Sequence, residues 1–140
     1  MRSWIIPSLL QTLRINKHNE YPQHIFEIGT VFKLSSGSVK EFMRLGVILC
    51  NPIANFTQIK QVLDVIMNAL DLKYEIDNAT HSSFIDGRVG RISIDNVKLA
   101  YLGEINPLVL ENWDLDVPCA TLEINMTELF NVFNKKNKKV

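Results

Sequence analysis

Two cysteines, three histidines and 15 carboxylates are the groups in this 140-residue chain that can act as nucleophiles, bases or metal ligands. His18, His24 and His81 do not recur at i, i+3 or i+4, and neither Cys50 nor Cys119 has a second cysteine three positions away. The spacings that build a zinc site are therefore missing. A cysteine nucleophile needs a nearby base and a lowered pKa. Cys50 follows Val47, Ile48 and Leu49, which points to an inert buried thiol. No GxSxG, GxxxxGK(S/T) or GxGxxG run is present, so a nucleophile elbow and the glycine-rich phosphate loops are excluded. Glu27 and Glu123 each interrupt an apolar stretch, where a carboxylate must reach solvent or be paired. Exposure on an outer strand face is the expectation for both. Asp86-Gly87-Arg88 is a charged turn entering a strand that also carries Arg91. Arg88 and Arg91 either clamp an anion or lie on a solvated strand face, and the solvated face is expected.

The elements that must position these groups follow from hydrophobic period. Pro7, Leu9, Leu10 and Leu13 predict a short helix over Ser8 to Asn16. His24 to Lys33 alternates with apolar residues on both faces, which predicts a central strand. Ser35 to Ser38 supplies a turn into a second strand, Arg44 to Cys50. Ile59, Val62, Leu63, Ile66, Met67 and Leu70 form one continuous stripe, predicting a helix from Thr57 to Leu70. Lys73 to Asp77 reads as a strand and Asn78 to Asp86 as a polar loop. Val89 to Ile94 and Val97 to Glu104 alternate around Asp95-Asn96, a pair that tolerates positive φ in a tight hairpin. Asn106-Pro107 opens a short helix through Trp113, Ala120 to Ile124 is a further strand, and Asn125 caps a final helix with Glu128 in capping-box position. Hairpins outnumber crossovers, so the fold class is α+β, a mainly antiparallel sheet flanked by helices.

Composition fits one soluble globular domain, with 46% hydrophobic and 21% charged residues. No apolar run reaches the roughly 18 residues of a membrane span, and no leader pattern opens the chain. Two distant cysteines exclude a disulfide framework and fit a reducing compartment, so a cytoplasmic location is expected. Four of the 15 basic residues sit in the last six positions, leaving 11 against 15 acidic residues elsewhere. That acidic body is a poor footprint for nucleic acid. The domain is expected to span 1–134, with 135–140 a disordered lysine-rich tail.

Three segments, taken in order, resemble one family: RSWIIPSLLQTLRIN followed by HIFEIGTVF; SSFIDGRVGRISIDNVKLAYLGEINPLVLENW; and LDVPCATLEINMTEL. Together they are similar to the C-terminal part of the phenylalanyl-tRNA synthetase beta subunit in its archaeal and eukaryotic form. The resemblance covers Arg2 to about Phe130. It implies a class II aminoacyl-tRNA synthetase-like module, incomplete here, within a heterotetramer of two alpha and two beta subunits. In that family the alpha subunit holds the working site, and the catalytic-like domain of the beta subunit has lost chemistry. The complex would use ATP and magnesium through other regions, with no cofactor on this chain and no membrane partner. tRNA(Phe) would be met only through the complex.

The resemblance also places the losses. Where an active class II enzyme ends its second motif in Phe-Arg-x-Glu, this chain reads Phe32, Lys33, Leu34 and Ser35. Lysine supplies charge without the guanidinium fork that clamps a phosphate. CATLEINMTELF lacks the glycines and arginine of the third motif. No catalytic residue carries over. The long helix and strand of the first motif are not matched, which implies an open sheet edge suited to self-association or partner pairing. The apolar surfaces of the helices over Leu9–Leu13 and Thr57–Leu70 either contribute contacts to the alpha subunit or simply face the chain's own core. The expected role is a non-catalytic structural module of phenylalanine–tRNA ligase. The alternative is a stand-alone paralogue that binds a small molecule or protein partner in the vacated pocket.

Overall fold

A computed structural model describes residues 2–138. Four helices, α1 (Ile6–Ile15), α2 (Phe56–Ala69), α3 (Pro107–Asn112) and α4 (Met126–Asn137), accompany six strands. The strands are β1 (Gln23–Ser35), β2 (Ser38–Cys50), β3 (Glu75–Asn78), β4 (Phe84–Ile94), β5 (Val97–Ile105) and β6 (Cys119–Asn125). They form one sheet in the order β1-β2-β6-β5-β4-β3, with every neighbouring pair antiparallel.

Period 2 sorts the core into two layers. Ala120, Leu122 and Ile124 of β6 face α2 and α4, where they meet Ile59, Leu63, Met67, Leu129 and Val132. The alternate residues of β2 and β6, including Ile48, Cys50 and Cys119, face α1 and α3, against Leu9, Leu10, Leu13 and Leu110. Asn106 and Asn125 cap their helices as expected, accepting from the backbone N–H of Leu108 and Glu128, and Asn55 does the same for Gln58, a cap that was not foreseen. Asp95 and Asn96 turn the β4–β5 hairpin at φ of 51° and 66°.

Two expectations are corrected. β1 is an edge strand rather than a central one. Its odd-numbered side chains turn toward α1, but Phe26, Ile28 and Leu34 on the other face are 70%, 55% and 73% exposed, because neither α2 nor α4 reaches them. The lysine-rich end does not begin unstructured at 135: α4 runs through Asn137, with Lys135 and Lys136 in its last turn. Cations there complement the negative end of the helix dipole. Residues 139 and 140 lie outside the described residues. Of the two readings open for the α1 and α2 stripes, packing in the chain's own core is the one seen: Leu9, Leu10 and Leu13 of α1 and Ile59, Leu63 and Met67 of α2 are buried, with Val62, Ile66 and Leu70 half-buried beside them.

Close packing of α1 on β2 depends on Gly46. A Cβ at that position would lie 2.6 Å from Ile5 Cγ2 and 3.2 Å from Leu9 Cδ1. Gly46→Ala is expected to cost roughly 1–3 kcal/mol by overpacking, measured as a lowered urea midpoint. An unchanged midpoint would show that α1 does not sit on β2 this closely.

Candidate functional site

Strand alternation puts Glu123 of β6 on the α1 face of the sheet, at the point where the chain enters α1. The helix has no capping side chain of its own and no acidic residue in its first turn. Glu123 supplies what is missing. Its Oε1 accepts from the backbone N–H of Ile5 at 2.9 Å and of Ile6 at 3.0 Å, and its Oε2 accepts from Arg44 Nη1 at 2.9 Å. A carboxylate at the positive end of a helix, paired to a guanidinium, is satisfied on both oxygens. The expectation of an exposed Glu123 is therefore corrected: its side chain is 1% exposed. Burial pushes its carboxyl above the ordinary range, against the opposing pull of Arg44 and the two amides. Glu27 is half-exposed, and is paired with Arg2 at 2.6 Å.

Around this carboxylate lies a cavity of about 560 Å³ between the start of the chain, β1, β2, β5 and β6. Arg44 and Arg91 form part of its lining with Lys33 and Lys98, against the acids Glu123 and Glu128. Its aromatic residues are Trp4, Phe32, Phe42 and Tyr101. The Arg44 guanidinium sits 5.4 Å from the Trp4 ring centroid and that of Arg91 4.1 Å from Tyr101. Arg91 Nε is buried with no partner, and Lys33, Arg91 and Lys98 have no carboxylate partner among the described residues. The chemistry open to such a lining is the binding of an anion. No group of three or more His, Cys, Asp or Glu is placed to hold a metal ion among the described residues.

Of the candidate site residues singled out in the sequence, Phe32, Lys33, Arg91 and Glu123 reach this cavity. Phe32 is held there by its backbone N–H, which donates to the Arg2 carbonyl at 2.9 Å. Lys33 is exposed and faces Lys40 across the β1–β2 ladder, while Ser35 sits at the hairpin end opposite Ser38. Arg88 and Arg91 are not brought together. Arg91 lies over Tyr101, whereas Arg88 bonds Glu104 at 3.1 Å beside a second cavity. Three places apart on one strand, they project to opposite faces. Trp4, Arg44, Lys98 and Tyr101 were not foreseen. The available signal was Glu123 itself, the one charged residue between Val117 and Asn125: a carboxylate in such a run requires a cation from a neighbour once the strand is buried.

His81 closes the aromatic side of the site, with ring centroids 5.3 Å from those of Trp4, Tyr101 and Phe84. Its Nδ1 accepts from Ser83 N–H at 3.1 Å, which requires that nitrogen to be unprotonated. Burial and then the nearby Arg91 charge lower its pKa from 6.5.

Against known proteins, residues 1–126 match the family described as phenylalanyl tRNA synthetase beta chain CLM domain. The chain is 39% identical over 133 residues to the phenylalanine–tRNA ligase beta subunit of Thermococcus onnurineus, covering 93% of this chain and 23% of that protein. The beta subunits of Pyrococcus furiosus (39%, covering 93% and 24%) and Methanopyrus kandleri (36%, covering 92% and 22%) are similar in the same way. The chain thus spans about a quarter of the length of these relatives. Among solved structures, the pyrrolysyl-tRNA synthetase of Desulfitobacterium hafniense superposes with a TM-score of 0.80 at 17% identity, over 96% of this chain and 50% of that one. A second structure from the same organism gives 0.78 at 21% identity, with the same coverage. The fold is that of a class II aminoacyl-tRNA synthetase catalytic domain.

Two outcomes follow. Glu123→Ala strips the cap from α1 and leaves Arg44 uncompensated, at a cost of about 3–5 kcal/mol read from urea unfolding. A loss under 1 kcal/mol would contradict the cap. For His81 the folded pKa lies below the unfolded 6.5, so the unfolded chain binds the proton more readily. The stability is present above pH 6.5 and is lost as pH falls from there through the lowered folded value. His81→Asn should remove that component from a series of unfolding midpoints; parallel curves for the two proteins would count against it.

Proposed function

Because the chain belongs to the phenylalanyl tRNA synthetase beta chain CLM domain family, we propose that it is a non-catalytic structural module of the ligase's beta subunit. Its work is to support assembly with the alpha subunit for tRNA(Phe) aminoacylation in the cytoplasm. ATP and magnesium are handled through other regions of that complex, and tRNA is met through the complex.

The observation that carries this reading is the use made of the cavity's charges. Adenylate chemistry needs positioned cations free to meet phosphate. Here the most buried acid and Arg44 are committed to each other and to the start of α1. The position of the phosphate-clamping arginine is held by exposed Lys33. Assembly is supported by the apolar side chains left uncovered. Phe26, Ile28 and Leu34 of β1 share one face with Val39 and Met43 of β2, and all five are exposed. An apolar patch on the face of an edge hairpin is suited to a protein partner.

A second reading, a small-molecule site, is favoured by Arg91, Lys33 and Lys98, whose charges have no acidic partner among the described residues. On that reading the isolated chain binds an organic anion, and Arg91→Ala abolishes the binding in a calorimetric titration.

The test of the leading reading uses the assembled ligase. Lys33→Ala in the beta subunit should leave phenylalanine activation, followed by pyrophosphate exchange, within about twofold, a difference worth under 1 kcal/mol in barrier. A hundredfold loss with the tetramer intact would overturn it.

A further inference from the structure

Cys50 and Cys119 lie 69 positions apart in the chain, yet the fold sets them directly opposite each other on β2 and β6. Asn51 N–H donates to the Pro118 carbonyl at 3.2 Å, which makes the neighbouring pair 51–118 the hydrogen-bonded one. Cys50 and Cys119 therefore occupy a non-hydrogen-bonded pair, where the two Cα atoms approach to about 4.5 Å and both side chains rise from the same face. That separation lies within the range of about 4.4–6.8 Å that a disulfide spans. Both thiols point at one acceptor, the Val117 carbonyl, at 3.9 Å from Cys50 Sγ and 3.5 Å from Cys119 Sγ. Both are free thiols.

We propose that Cys50 and Cys119 form an oxidisable pair that closes to a cross-strand disulfide when hydrogen peroxide reaches it. The geometry supplies the proximity, and an opening supplies the access: Cys119 lines a cavity of about 430 Å³ between Ala54, Arg88, Glu104 and Leu110. Cys119, the sulfur that lines this cavity, attacks the peroxide: an S–O bond forms, the O–O bond breaks, and the departing hydroxide leaves with the Cys119 thiol proton as water, giving a sulfenic acid. The Cys50 sulfur then attacks Cys119, the S–O bond breaks, and the thiol proton of Cys50 leaves with the departing hydroxyl as water. The S–S bond is formed, and two thiols have been oxidised as one peroxide is reduced to two waters. The bond would pin β2 to β6, the strands that carry Arg44 and Glu123, and so fix the register of the buried ion pair.

The folded chain is treated with hydrogen peroxide, quenched, denatured, alkylated with N-ethylmaleimide and weighed by intact mass spectrometry. The expected product has lost about 2 Da, takes up no maleimide, and yields a linked Cys50–Cys119 peptide after proteolysis. Its urea midpoint rises above that of the reduced chain, and dithiothreitol restores both maleimide additions. Uptake of two maleimides, conversion to sulfinic or sulfonic acids without a linked peptide, or disulfides only between separate chains would each overturn the proposal. The readout is on the natural sequence and needs no variant to fold.

Discussion

The Glu123 carboxylate is the group on which the architecture turns. It stands on a strand buried on both faces, where an unpaired charge would not be tolerated. It is satisfied only if two other parts of the chain are in place: the start of α1, 117 positions away, and Arg44 on β2. Gly46 lets Ile5 approach the sheet closely enough for its amide to reach Oε1. Arg2 then ties the incoming chain to β1 through Glu27 and through a backbone bond to Phe32. Glu123 therefore couples α1, β2 and β6, and Arg2 adds β1. A helix of 10 residues without a cap of its own is marginal alone, and this contact makes its position part of the tertiary structure.

The same arrangement limits what the cavity can do. A sheet face that binds nucleotide needs cations whose charge is unspent until substrate arrives. In this chain the first claim on Arg44 is internal, and Trp4 stacks against its guanidinium. Arg91 is held against Tyr101, with His81 kept neutral beside it by burial and by the Ser83 amide. The charge of Arg44 is thus spent on holding elements together, while Lys33, Arg91 and Lys98 have no carboxylate partner among the described residues. A shared fold does not by itself carry an activity.

Local pattern made much of the fold legible. The stripe from Ile59 to Leu70, the Asp95-Asn96 turn and the caps at Asn106 and Asn125 each depend on residues a few positions apart, and each is where its pattern puts it. β1 misled because its alternation carries apolar residues on both faces, which reads as central burial. One of those faces has no covering element within the described residues. The site was legible in part. Glu123 and Lys33 stood out by residue type and place, but the contacts that define them come from sheet order. The strand order β2-β6-β5 brings Arg44 and Tyr101 to either side of Glu123, and no local period encodes that. The opposition of Cys50 and Cys119 is hidden for the same reason.

On the proposed reading, the chain contributes to the ligase through contact with the alpha subunit. The solution mass of the chain, alone and mixed with the cognate alpha subunit, tests this most directly when measured by light scattering on a sizing column. Co-elution of the two chains at a fixed stoichiometry is the predicted result. A well-behaved monomer that elutes apart from the alpha subunit at every ratio would contradict it.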